Sequence, residues 1–164
     1  VYADAHVLAE VAEAFADPAV AAVYGDLEYV SQADPTRVVR HWRAGAYAPH
    51  RLRWGWMPPH PTLFLRRSLY ARFGVFDTGY RIAADYELML RMLMGLEEAG
   101  EGAVRYLPRV LVRMRLGGVS NRSLRTVLRK SWEDYRALRA NGVGGFAALS
   151  WKNLSKLPQF MSRG

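Results

Sequence analysis

The sequence predicts an α/β fold. Two stretches repeat their apolar residues at helical spacing, at 3–16 and from Asp85 onward. Between and after them lie short β-prone apolar runs, at 20–30, 62–66, 104–107 and 110–116. Helices and strands therefore interleave along the chain. Just over half of the 164 residues are apolar, enough to bury a core, which excludes general disorder.

The elements follow in order. Val7, Leu8, Val11 and Phe15 give residues 3–16 an amphipathic helical stripe, ended by Asp17-Pro18. Val20–Val30 is apolar on both sides of Gly25-Asp26 and reads as a strand. Ser31, Asp34 and Pro35 mark a turn, and Arg37–Ala46 is expected to form a short helix. Residues 44–61 are a loop rich in Gly, Pro, Trp and His, followed by a short buried strand at Thr62–Arg66. Ser68 is expected to cap a short helix closed by Gly74.

After a loop at 75–84, Asp85 opens a helix striped by Leu88, Met89, Met92, Leu93 and Leu96, which the Gly-rich segment 95–102 breaks. Two strands are expected around Pro108, then a Gly117-Gly118 turn, then helices at 121–141 and 144–157 split by Asn141-Gly142.

Charge divides the chain in two. Residues 1–120 carry 14 basic and 13 acidic side chains, whereas 121–164 carry 9 and 2. The net charge of +8 thus sits almost wholly in the last 44 residues. This suggests a nearly neutral domain, 1–120, and a basic amphipathic helical tail, 121–164. A nucleic-acid-binding fold would carry its basic patch on the fold itself, and no recognition motif is present, so nucleic acid is not the expected partner. The absence of cysteine removes disulfides, thiolate metal sites and cysteine nucleophiles. His6, His41, His50 and His60 show no ligand spacing, so no metal site is expected in this chain. No apolar run approaches the roughly 20 residues of a membrane-spanning helix, and no signal peptide is visible.

The stretch PHPTLFLRRSLYARFGVFDTGYRIAADYELMLR, with His60, Phe64-Leu65-Arg66-Arg67, Gly74-Val75-Phe76-Asp77, Tyr80 and Ala84–Arg91, resembles the family 2 glycosyltransferases that build bacterial surface polysaccharides such as O-antigens. Val23-Tyr24-Gly25-Asp26 upstream and Arg115–Ser120 downstream fit the same order over roughly 100 residues. Ala84 departs from the pattern, since many members carry an acidic residue there. The resemblance implies a partial GT-A fold, with a mixed sheet, flanking helices and a C-terminal helical extension. It also implies inverting transfer of a sugar from a nucleotide-sugar to a saccharide or lipid-linked acceptor.

The resemblance makes Asp85 the catalytic base. Taken on its residues alone, a carboxylate opening a helix is either an N-cap or a well-placed base. His60, in a stiff Pro-His-Pro loop, either presents its imidazole to a ligand, which the resemblance implies is donor phosphate or acceptor, or bonds to backbone. Asp26 either reaches a cleft or serves a strand-end turn. Trp56, with Trp54 and Met57, either lines a sugar face or packs the loop. Arg91 either binds substrate or buttresses the loop by ion pairing. Asp77 is expected to cap a turn.

Enzymes of this family begin with a nucleotide-binding half ending in an Asp-rich motif that holds Mg²⁺ or Mn²⁺ on the donor diphosphate. The chain is expected to start just after that motif. The metal ligands would then lie outside it, Asp4 would not be one, and the fragment alone would be inactive. Its sheet would lack neighbouring strands, leaving an edge open to self-association.

In the tail, Leu124, Val127, Leu128, Trp132, Tyr135 and Leu138 form a stripe flanked by Arg122, Arg125, Arg129, Lys130, Arg136 and Arg139. Such helices suit an anionic membrane surface, which implies a cytoplasmic location on the inner face of the membrane. Alternatively, the stripe packs on the domain and only the charges face water. A non-catalytic membrane-associated or assembly domain is the first rival reading, and a basic nucleic-acid-binding module is a more distant one.

Overall fold

The computed structural model describes residues 1–116 and 124–143. The chain is a mixed α/β protein with a four-stranded mixed sheet and flanking helices. Its order is α1 (Val7–Ala14), β1 (Val20–Val30), β2 (Val38–Trp42), α2 (Pro49–Leu52), a 3-10 turn at His60–Thr62, β3 (Phe64–Leu65), α3 (Arg67–Phe73), α4 (Ala84–Ala99), β4 (Ala103–Arg115) and α5 (Leu124–Ala140). The chain divides into two compact units. Of the described residues, one holds 1–47, 58–75 and 96–116, and the other holds 48–57, 76–95 and 124–143.

The first unit is built on β1. From Val20 to Leu27 this strand is buried at every position, as expected of a strand covered on both faces. β4 runs parallel along its whole length. The opposite edge is shared: β3 pairs antiparallel at Ala22 and Val23, and β2 pairs antiparallel from Leu27 to Val30. Val7, Val11 and Ala14 of α1 pack with Val20, Val23, Leu27, Leu111 and Val112 to form the core. Residues 1–3 run along the outer edge of β4, where Val1 and Ala3 exchange backbone hydrogen bonds with Arg113 and Leu111. These residues cover the β4 edge from Leu111 to Arg113.

Several expectations are corrected. Arg37–Ala46 is not a helix. Its first part is the strand β2, where β-branched Val38 and Val39 and the ring of Trp42 fit the pleat beside β1. Arg40 lies over the rings of Tyr29 and Trp42, so the charge that blurred the pattern serves the pairing. The first helix is shorter than 3–16 because residues 1–3 are held on β4, and Leu8 is exposed. β3 is shorter than 62–66 because Thr62 belongs to the 3-10 turn.

Ser68 does not cap α3. Arg66 occupies that position, and its guanidinium bonds the carbonyls of Phe15, Asp17 and Val20. α4 starts one residue before Asp85 and runs through Gly95 to Ala99. Gly100 and Gly102, both at positive φ, then turn the chain. The two strands around Pro108 are one, β4. Leu107 pairs with Gly25 and Val110 with Asp26, so Pro108 and Arg109 bulge out of the ladder, where a missing N–H costs nothing. Arg109 turns from the bulge to ion-pair with Asp4 and Glu10.

In the second unit, α4 buries Tyr86 through Leu90 and Met92 through Met94, a wider band than the expected stripe. No helix among the described residues is long and apolar enough to cross a membrane. The Gly117-Gly118 turn and the helix expected at 144–157 lie outside the described residues.

Candidate functional site

The five residues singled out from the sequence fall in both units: Asp26 and His60 in the first, Trp56, Asp85 and Arg91 in the second.

Asp26 lies midway along β1 rather than at its end, and is almost fully buried. Its Oδ1 accepts the Ala44 N–H at 2.8 Å and the Tyr106 hydroxyl at 2.7 Å, and its Oδ2 lies 3.7 Å from His41 Nε2. A buried carboxylate needs such partners. Tyr106 stacks on Tyr24 with ring centres 5.2 Å apart, and the Tyr24 hydroxyl donates to the Gly45 carbonyl at 2.7 Å. Asp26 and Tyr24 together staple the start of the Gly-, Trp- and His-rich loop to the sheet. Burial first, then the bond to Asp26, raises the Tyr106 pKa above its ordinary value of 10.

The turn bearing His60 is pinned beside Asp26. The Thr62 hydroxyl, fully buried, lies 2.8 Å from the carbonyls of Gly25 and Pro59 and accepts the Gly25 N–H at 3.4 Å. His60 itself is exposed, and its carbonyl accepts the Leu63 N–H. Asp4 accepts the His6 N–H and pairs with Arg109; that N–H bond comes first among the causes that lower its pKa.

In the second unit, Asp85 is the second residue of α4 and half-buried, with Oδ1 accepting the Tyr86 N–H at 2.8 Å. The Tyr86 ring is buried, and burial followed by the Asp134 charge pushes its phenol pKa up. One helical turn along from Glu87, Arg91 forms a two-point pair with it at 2.8 and 2.9 Å. These bonds lead the causes that raise the Arg91 pKa. Arg91 thus buttresses α4 internally. Trp56 is half-buried beneath the Arg51 guanidinium, 4.9 Å from its ring centre, and Trp54 is exposed. Asp77 caps its own turn by accepting the Gly79 N–H at 2.8 Å.

Sequence reasoning missed the partner of the loop before Asp85. Glu133 of α5 is buried, and one of its oxygens, Oε2, accepts three successive backbone N–H groups: Arg81 at 3.1 Å, Ile82 at 2.7 Å and Ala83 at 3.0 Å. Three converging amides just before a helix N-terminus form a nest for negative charge. Burial alone would raise the Glu133 pKa. The amides of Ala83, Ile82 and Arg81, with Arg129 at 3.7 Å, outweigh it and hold the value below the ordinary 4.5. One turn further along α5, Arg136 lies over the Tyr80 ring at 4.2 Å and 3.7 Å from Asp77.

Among the described side chains, the buried face of α5 is Glu133, Asp134, Ala137 and Leu138; of the apolar stripe, Leu138 is buried whereas Leu128 and Trp132 are 71% and 66% exposed. A signal was present, because Glu133 and Asp134 are the only acidic residues after position 120.

Among the described residues no group of three His, Asp or Glu side chains is placed to hold a metal ion. No protein-family model matches the chain, and no curated protein matches it.

Proposed function

We propose that the chain is the acceptor-side half of an inverting glycosyltransferase with a GT-A fold, acting in cell-surface polysaccharide synthesis. The observation that carries this reading is Asp85: a half-exposed carboxylate in the first turn of α4, standing in the ordered motifs His60, Phe64–Arg67, Gly74–Asp77, Tyr80 and Ala84–Arg91. In the proposed reaction the Asp85 carboxylate takes the proton of the acceptor hydroxyl. The acceptor oxygen bonds to the anomeric carbon from the face opposite the leaving group. The bond from that carbon to the diphosphate oxygen breaks, the nucleoside diphosphate leaves with the electron pair, and the configuration inverts.

Donor binding, and the divalent ion on the diphosphate, belong in this reading to residues outside the chain. The acceptor is a saccharide or a lipid-linked sugar at the cytoplasmic membrane surface. Exposed Leu128 and Trp132, with the exposed Arg129, Arg136 and Arg139 beside them on α5, support peripheral contact with anionic lipid.

The test is sugar transfer by the natural polypeptide that contains this chain, assayed with a panel of nucleotide-sugars and lipid-linked acceptors. Asp85→Asn is expected to lower turnover by about 1,000-fold while donor affinity stays nearly unchanged. Retained turnover removes Asp85 from the base role. A wild-type protein that transfers no sugar favours the non-catalytic, membrane-associated reading.

A further inference from the structure

We propose that Glu133 is the positioning residue for Asp85, so that α5 belongs to the catalytic apparatus rather than to a detachable tail. This rests on the transferase reading above.

The loop Phe76–Ala83 leads directly into the first turn of α4, and α5 holds it at two points. Glu133 gathers the amides of Arg81, Ile82 and Ala83 on one oxygen. The Ala83 carbonyl in turn accepts the Glu87 N–H at 2.9 Å, closing the first turn of α4 around Asp85. Three residues along α5, on the same helical face, Arg136 covers Tyr80, approaches Asp77 and reaches the Gly79 carbonyl at 3.5 Å.

The chemistry of the contact fits a positioning role. Three N–H groups aimed at one carboxylate oxygen fix the direction of three consecutive peptide planes, and Asp85 follows only two residues later. A buried carboxylate is a costly way to hold a surface loop unless its geometry matters, because an apolar contact would supply adhesion without desolvating a charge. Proton transfer falls off steeply when base and hydroxyl are misplaced by an ångström. Glu133 touches neither substrate nor reacting atom and acts through the backbone of 81–83.

The experiment uses the natural polypeptide and two readouts. Glu133→Gln, which keeps the shape and loses the charge, is expected to lower kcat about ten- to hundred-fold with the acceptor KM and donor affinity nearly unchanged. Glu133→Asp is expected to recover part of that loss. Hydrogen exchange of the Arg81, Ile82 and Ala83 amides should quicken in Glu133→Gln while β1 amides keep their protection. Should Glu133→Gln fail to fold, Arg136→Met, which removes only partly exposed contacts, is expected to lower kcat by a smaller factor with unchanged KM. A variant that melts earlier but keeps wild-type kcat well below its melting temperature overturns the proposal, as does unchanged exchange at 81–83. A wild-type protein without transferase activity instead overturns the reading beneath it, and the exchange measurement then decides alone whether Glu133 fixes the loop.

Discussion

Tyr106 and Asp26 meet across the parallel edge of the sheet without being paired in register. The Tyr106 hydroxyl donates to Asp26 Oδ1 at 2.7 Å, while in the ladder Tyr106 faces Tyr24 and Asp26 faces Val110. The bulge at Pro108 and Arg109 separates the two pairings. Tyr106→Phe removes a donor from a buried carboxylate and is expected to lower stability by about 2 kcal/mol, read as the shift in denaturant midpoint. The folded-state pKa of Tyr106 is raised, so its contribution is complete below pH 10 and is lost as pH rises through the folded value. Tyr106→Phe should therefore lose less stability than the wild type on alkaline titration. An equal alkaline loss would remove Tyr106 from that role.

Gly25 is required by close approach rather than by backbone angle. A Cβ there would lie 2.5 Å from Leu111 Cγ and 2.9 Å from the Arg109 carbonyl oxygen. Leu111 is fully buried and the carbonyl is backbone, so neither yields cheaply. Gly25→Ala is expected to cost about 2 kcal/mol by overpacking, measured by urea or thermal unfolding.

Acid should loosen the second unit first through Glu133. The folded pKa of this carboxylate lies below 4.5. Its stabilisation is thus fully present above pH 4.5 and disappears as pH falls through the folded value. Glu133→Gln is expected to be less stable than wild type at pH 7, with the two melting temperatures converging as pH falls below 4.5. Parallel melting curves across that range would refute the assignment.

The exposed side of α5 yields a solution prediction. Leu128→Ser combined with Trp132→Ser is expected to weaken co-sedimentation with anionic phospholipid vesicles by about ten-fold or more, since both side chains present apolar area to solvent. Both are exposed, so thermal stability should be unchanged. Binding to neutral vesicles should be weak in every variant, because each basic residue adds about 1 kcal/mol only at an anionic surface.

How much of this was legible in the sequence depended on whether local pattern or distant pairing decides the structure. β1 was legible end to end, because a fully covered strand reads as one continuous apolar run. α4 was legible from its stripe. β2 was misread, since Val38–Trp42 has no clear period of its own and becomes a strand only beside Leu27–Val30. The single β4 was read as two strands because the bulge that absorbs Pro108 is set by the register with β1. The candidate site residues were chosen by type and order, but their bracing was not legible. Glu133 looks like a solvated helix residue, and only the fold shows three amides from residues about fifty positions earlier converging on it.

The two edges of β1 also set an order of assembly. One edge is served by β2, a short hairpin away, and by β3. The other waits for β4, some eighty residues later, and the loop before Asp85 waits for α5. Contacts of such long sequence separation form late, and a chain emerging from the ribosome N-terminus first forms them later still. During synthesis β1 therefore holds its hairpin while its longest edge stays unpaired, and Asp85 gains a fixed backbone only once residue 133 has emerged. Truncation before β4 should yield a chain that is open along β1 and poorly soluble, rather than a smaller folded protein.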